Sequence, residues 1–256
     1  MNCKSAAPIA LFDSGVGGIG VLREVKKLLP QEQFLYFGDT ANAPYGEKSH
    51  DEVRRLVFSA ANRLIPQCKA LVLACNTATA VAAKELRQQY PAFPIVGMEP
   101  ALRPACMVKE HPTILVLATA ATLQEEKFAV LREMCEKNAT VVSLPAPGIV
   151  RLVEAGLSDS PEMDRYLFDL LVPFRHAPPD AVVLGCTHFP FARAAILRAL
   201  GQNVPLFDGA VGTAHRLESL LREQKLLAPP KATGGILLTA SDTRSLPLLS
   251  KLLVAP

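Results

Sequence analysis

Apolar and polar positions along this chain follow two rhythms. Short runs rich in Val, Ile, Leu and Phe at residues 9–12, 34–37, 71–74, 95–96, 114–117, 141–144, 182–184 and 206–207 read as strands. Between them, residues 19–29, 52–65, 79–90, 123–136, 163–172, 191–200 and 214–223 repeat apolar side chains at helical spacing. Strands that are apolar throughout, alternating with helices, predict mainly parallel sheets covered on both faces, an α/β fold. No segment is low in complexity, and none is rich enough in Gly or Ser to mark a flexible hinge.

The pattern repeats itself. Ala70-Leu71-Val72-Leu73-Ala74-Cys75-Asn76-Thr77 aligns with Ala181-Val182-Val183-Leu184-Gly185-Cys186-Thr187-His188 at an offset of 111 residues. The same offset carries Leu86-Arg87 onto Leu197-Arg198 and Pro94-Ile95-Val96 onto Pro205-Leu206-Phe207. Leu11-Phe12-Asp13-Ser14 lies over Val116-Leu117-Ala118-Thr119 at an offset of 105. A constant offset with Cys falling on Cys is more than the general likeness of α/β segments. The chain therefore reads as two copies of one α/β unit, each ending a central strand in a cysteine.

Composition narrows the classes. With 27 Lys+Arg against 24 Asp+Glu the net charge is +3, and no basic run exceeds a pair, which argues against nucleic-acid and membrane-surface partners. No stretch approaches the roughly 20 apolar residues of a membrane helix, and no signal-peptide core follows the N-terminus, so a cytoplasmic location is expected. Six cysteines in 256 residues are too sparse for a disulfide scaffold, and no spacing suits zinc; no metal is expected.

Two features carry candidate chemistry. Gly15-Val16-Gly17-Gly18-Ile19-Gly20 spells G-x-G-x-x-G after a strand, and Asp39 lies at the end of the next strand. That is the dinucleotide pattern, yet glycine-rich turns of this kind also arise wherever a tight strand-to-helix turn is needed. Cys75 and Cys186 are each predicted at the C-terminal end of a parallel strand just ahead of a helix, where open α/β sheets place ligands and where a helix N-terminus favours the thiolate. Asn76-Thr77 and Thr187-His188 supply hydrogen-bonding groups beside them, and Pro190 suits a first helical turn. Cys3, Cys68, Cys106 and Cys135 read as small buried hydrophobes, and His50, His111, His176 and His215 as surface groups. Two such units facing each other would set the thiols on opposite sides of one cleft. A thiolate and a thiol so placed suit racemisation, in which one removes a proton and the other returns one. Asp13 and His188 stand where each can tune a neighbouring thiol.

Phe12-Asp13-Ser14-Gly15-Val16-Gly17-Gly18, Tyr36-Phe37-Gly38-Asp39-Thr40, Pro44-Tyr45-Gly46, Ala74-Cys75-Asn76-Thr77-Ala78 and Leu184-Gly185-Cys186-Thr187-His188-Phe189-Pro190 together resemble the glutamate racemase family, over nearly the whole chain. The resemblance implies a cofactor-independent enzyme that interconverts L- and D-glutamate and supplies D-glutamate for bacterial peptidoglycan, hence for the cell wall and cell shape. It implies Cys75 and Cys186 as the catalytic acid/bases, with Asp13, His188 and Glu154 as supporting polar groups. It further implies Asp13, Ser14, Tyr45, Gly46, Asn76, Thr77, Thr187 and His188 as substrate-binding residues, with Thr119 and Thr122 adding contacts. The family fold suggests a first domain of residues 1–98 with 208–256, a second of 99–207, an active site in the cleft between them, and a homodimer. Asp208-Gly209 stands where the pattern has Asp-Ser-Gly, Phe128 where members often carry Tyr, and Pro145-Ala146 where many have Pro-Cys.

The alternatives remain open at this level. An aspartate racemase shares the two cysteines, an NAD-dependent oxidoreductase would use Gly15–Gly20 and Asp39, and an amino-acid sensor would bind glutamate without exchanging its α-proton. No lysine sits in a context that suits pyridoxal phosphate.

Overall fold

The computed structural model describes residues 3–230 and 232–254, with side chains from Ser5 onward. The chain forms two compact units, one running to Glu99 and resuming at Ala210, the other spanning Pro100–Gly209. The first unit contains β1 (Ile9–Asp13), β2 (Gln33–Gly38), β3 (Ala70–Leu73) and β4 (Ile95–Gly97). The second contains β5 (Thr113–Ala118), β6 (Thr140–Pro145), β7 (Ala181–Gly185) and β8 (Leu206–Asp208), and the returning chain adds β9 (Gly235–Ala240) to the first. All pairings in both sheets are parallel, in the orders β4-β3-β1-β2-β9 and β6-β5-β7-β8. Parallel strands must be covered on both faces, and every residue of β1, β3 and β7 is accordingly buried.

Strand register reproduces the repeat seen in the sequence. β1 pairs Phe12 with Leu73 of β3, and β5 pairs Leu117 with Leu184 of β7. From Phe12 to Leu117 is a step of 105 residues, and from Leu73 to Leu184 one of 111. Matching bonds recur outside the ladders. Leu71 N–H donates to Pro94 O and Val182 N–H to Pro205 O, both at 2.9 Å. Asp39 N–H reaches Asp13 O at 2.9 Å, as Ala146 N–H reaches Ala118 O at 3.0 Å. Asp13 therefore occupies the place that Ala118 holds in the other unit, and Thr77 the place of His188.

Helix starts are local. Ser49 caps the helix His50–Leu64 by accepting from Glu52 N–H, half of a capping box, and Thr119 caps Ala120–Gln124 through Thr122 N–H. The small residues Ala78, Ala82 and Ala83 let the helix Asn76–Gln89 lie close against the sheet. At one end of the first unit a buried ion pair, Lys69 Nζ to Glu32 Oε2 at 2.5 Å, is completed by Ser5 O and Ala228 N–H.

Four sequence expectations are corrected. The helix expected over 123–136 is two, Ala120–Gln124 and Glu126–Glu136, because Glu125 adopts an extended conformation. The helix expected over 191–200 begins at Arg193, after a 3-10 turn Phe189–Ala192 that contains Pro190. The helix Pro147–Glu154, β9 and the helix Leu246–Val254 were not foreseen. Finally, Cys106 is only partly buried, whereas Cys68 and Cys135 are buried as expected; the Cys3 side chain lies outside the described residues.

Candidate active site

In the first unit the candidate residues gather at the C-terminal ends of β1 and β3. Asp13 closes β1 and is fully buried, and its carboxylate accepts from Gly15 N–H at 2.9 Å. The glycines here serve packing inside the protein. A Cβ on Gly18 would stand 2.7 Å from Asp13 Cβ and 3.1 Å from Ala74 Cβ, and one on Gly38 would stand 2.6 Å from Gly15 O. Gly15 O in turn accepts from the Tyr36 hydroxyl at 2.7 Å.

Cys75 follows β3 as the N-cap of the helix Asn76–Gln89, its Sγ accepting from Ala78 N–H at 3.4 Å. A sulfur in that place sits against the positive end of the helix dipole, which favours negative charge. Beside it, Asn76 is 4% exposed, and neither its amide nitrogen nor its amide oxygen has a hydrogen-bond partner among the described residues. An unpaired buried amide is costly in an isolated protein and marks a place where a polar ligand belongs. Ser14 and Thr77 are buried within the same unit.

Tyr45 lies in a 3-10 turn, Tyr45–Glu47, with its ring near Phe12 and its hydroxyl donating to Asp39 Oδ2 at 2.6 Å. Burial first, then that hydrogen bond, then the charges of Asp39, Cys75 and Asp13 raise the phenol far above its usual range. The hydroxyl is thus a committed donor. Asp39 also accepts from the Asn42 amide, so its carboxylate is occupied in the way a ribose-binding acid is not. With Gly18 packed against Asp13 and Ala74 and the acid engaged by Tyr45 and Asn42, this segment has a structural explanation without a dinucleotide.

The second unit arms its cysteine differently. Cys186 follows β7, but the residues after it form a turn and a 3-10 segment, so it does not cap an α-helix as the sequence suggests. Its partner is instead a side chain, with Sγ 3.6 Å from His188 Nδ1. Thr187 Oγ1 lies 3.5 Å from the same nitrogen, and His188 Nε2 meets Glu154 Oε1 at 2.5 Å. Burial pulls the His188 pKa down, but the hydrogen bonds and charges of Cys186 and Glu154 outweigh it and raise the ring well above its usual value. The ring is therefore held between the Cys186 sulfur and the Glu154 carboxylate, where its charged form is favoured. Glu154 ends the helix Pro147–Glu154, so the missed helix is what delivers it. Thr119 and Thr122, at the end of β5, are buried and bonded to each other at 3.0 Å.

Each unit thus assembles its own share of the candidates: Asp13, Ser14, Tyr45, Gly46, Cys75, Asn76 and Thr77 in the first, Thr119, Thr122, Glu154, Cys186, Thr187 and His188 in the second. Cys68 and Cys106 stand in different surroundings. Burial pushes the Cys68 thiol up to about 11, and burial with a hydrogen bond to Cys135 pushes Cys106 up to about 12, which keeps both protonated. Asp39, which the sequence spacing sets in a dinucleotide-like pattern, accepts from Tyr45 and Asn42 instead. Among the described residues there is no group of acids, histidines and cysteines that could hold a metal ion, and no helix long and apolar enough to cross a membrane.

The chain is similar to known proteins in sequence and in fold. The family model for Asp/Glu/Hydantoin racemase matches residues 20–217. A glutamate racemase of Clostridium acetobutylicum is 44% identical over 249 residues, covering 96% of this chain and 97% of that protein. The crystal structure of glutamate racemase from Francisella tularensis in complex with D-glutamate superposes with a TM-score of 0.84 at 29% identity, over 98% of this chain and 95% of that one. The Escherichia coli glutamate racemase, solved with L-glutamate and the activator UDP-MurNAc-ala, gives 0.83 at 32% identity over 96% and 95%.

Proposed function

This chain belongs to the Asp/Glu/Hydantoin racemase family, and from that premise we propose that it is a glutamate racemase working with two cysteines and no cofactor. The observation that carries the reading is the repeat itself: Cys75 and Cys186 each stand two residues beyond the matching register points Leu73 and Leu184 of two copies of one sheet. A reaction whose two directions are mirror images calls for two chemically matched groups, one on each face of the substrate α-carbon.

In one direction a thiolate takes the α-proton and becomes a thiol. The electron pair left on carbon then takes a proton from the second cysteine's thiol, which becomes the thiolate. The product has inverted configuration, and the two sulfurs have exchanged protonation states, ready for the reverse reaction. The helix N-terminus at Cys75 and the His188–Glu154 pair at Cys186 each favour the charged sulfur. Asp13 and Glu154 position these groups. The developing charge beside the substrate carboxylate requires preorganised donors in a buried site, and Ser14, the Tyr45-Gly46 main chain, Asn76, Thr77, Thr119, Thr122 and Thr187 supply them. The unpaired amide of Asn76 is the most direct sign of such a site. D-Glutamate made in this way would serve peptidoglycan synthesis in a bacterial cytoplasm, with the protein acting as a homodimer.

Incubation with L-glutamate in D2O, following optical rotation and α-deuterium together, tests the reading. Loss of rotation with deuterium at the α-carbon is expected. Glutamate binding without exchange would make the protein a sensor, and exchange into aspartate alone would move it to the aspartate racemases.

A further inference from the structure

Asp39 is buried, and its contacts organise a segment whose start is also held by Ser241 and Asp242, through Ala41 N–H and Thr40. Between Asp39 and Ser49 the chain has only two 3-10 turns, Thr40–Asn42 and Tyr45–Glu47, joined through the extended residues Ala43 and Pro44. Asp39 reaches both turns. One oxygen takes the Tyr45 hydroxyl at 2.6 Å, and the Asn42 amide nitrogen lies 2.9 and 3.1 Å from the two oxygens. Its carbonyl accepts Asn42 N–H at 3.0 Å, and its own N–H donates to Asp13 O at 2.9 Å. One residue therefore ties the first turn, the second turn and the end of β1 into a single piece.

We propose that Asp39 is a positioning residue of the active site, whose carboxylate pins the segment from Thr40 to Gly46 to the end of β1 and so fixes the Tyr45-Gly46 main chain beside Asp13. A carboxylate is needed because both donors aim at acceptors. An asparagine would offer one oxygen and one NH2, leaving either the Tyr45 hydroxyl or the Asn42 amide facing a donor. The Tyr45 ring, 1% exposed and near Phe12, cannot swing away to find another partner.

The substrate side of this inference rests on the racemase reading, so the test has two arms. In the first, Asp39→Asn and Tyr45→Phe are assayed with L-glutamate. Each is expected to raise KM about tenfold with kcat within about threefold of wild type, because a lost binding edge is lost before and during the chemistry alike. The double variant should be no worse than the weaker single, since both remove one linkage. In the second arm, hydrogen exchange of peptides covering residues 40–48 should quicken in both variants while the helix Asn76–Gln89 stays protected. Tyr45→Phe keeps the ring packing and serves if Asp39→Asn does not fold. A KM within about twofold of wild type, a fall in kcat at constant KM, additive effects, or unchanged exchange over 40–48 would each overturn the proposal. If the wild type does not racemise glutamate, the function reading falls, and the glutamate Kd with the exchange arm still decides the clamp.

Discussion

Replacing Glu154 by glutamine leaves an oxygen acceptor facing His188 but removes the charge. The ring is 1% exposed, and its Nε2 lies 2.5 Å from the carboxylate. Burial works against the imidazolium, and the bonds and charges of Cys186 and Glu154 overcome it. A hydrogen bond to a buried charged group is worth about 1.5–3 kcal/mol, and one pKa unit corresponds to about 1.36 kcal/mol. Glu154→Gln should therefore lower the His188 pKa, and the imidazolium beside Cys186 should be lost at lower pH than in the wild type. Stability follows the same sign. The folded-state value lies above the unfolded one near 6.5, so the His188 contribution is complete below about 6.5 and fades as pH rises through the folded value. In the variant that fade moves to lower pH. Histidine-selective 15N NMR across a pH series reads the ring directly, with His188→Gln assigning its resonances, and urea unfolding over the same series reads the stability. An unchanged or raised His188 titration in Glu154→Gln would refute the argument that the carboxylate sustains the imidazolium.

Other substitutions probe the remaining parts. Cys75→Ala and Cys186→Ala should each abolish racemisation while leaving elimination of a β-leaving group from one enantiomer of a substrate analogue; full racemase activity in either would end the two-base assignment. Asn76→Ala should leave the thermal midpoint unchanged or slightly higher, because an unpaired buried amide is removed, while glutamate KM rises about tenfold or more. Gly18→Ala forces a methyl to within 2.7 Å of Asp13 Cβ, so a loss of about 1–3 kcal/mol in denaturant unfolding and a fall in kcat are expected together. Lys69→Met strands Glu32 as a buried charge and should cost about 3–5 kcal/mol, most of it recovered by adding Glu32→Leu.

Local patterns made much of this legible. β1, β3, β5 and β7 are short apolar runs bounded by polar turns, and the offsets of 105 and 111 residues reappear as strand register. What escaped was non-local or atypical. β9 is an edge strand with no fully buried residue, and the helix Leu246–Val254 is so apolar that no helical stripe stands out. Glu154 is named only through the family resemblance, and residue patterns alone could not place it, because its carboxylate reaches His188 from 34 residues away through a helix of only eight residues. The Gly15–Gly20 and Asp39 pattern suggested a nucleotide site because spacing alone cannot show that Tyr45 and Asn42 fold back onto the acid.

The unlike surroundings of the two sulfurs have a thermodynamic corollary. Enantiomers have equal free energies in an achiral solvent, so the equilibrium constant of racemisation is one, and kcat/KM must be the same in both directions. One thiol served by a helix end and another by an imidazolium–carboxylate pair cannot disturb that equality. Their difference can surface only as compensating inequalities, a tighter KM with a slower kcat for one enantiomer and the reverse for its mirror image. Measured separately from each side, those two ratios would show how unequally the halves of a duplicated scaffold divide one symmetric task.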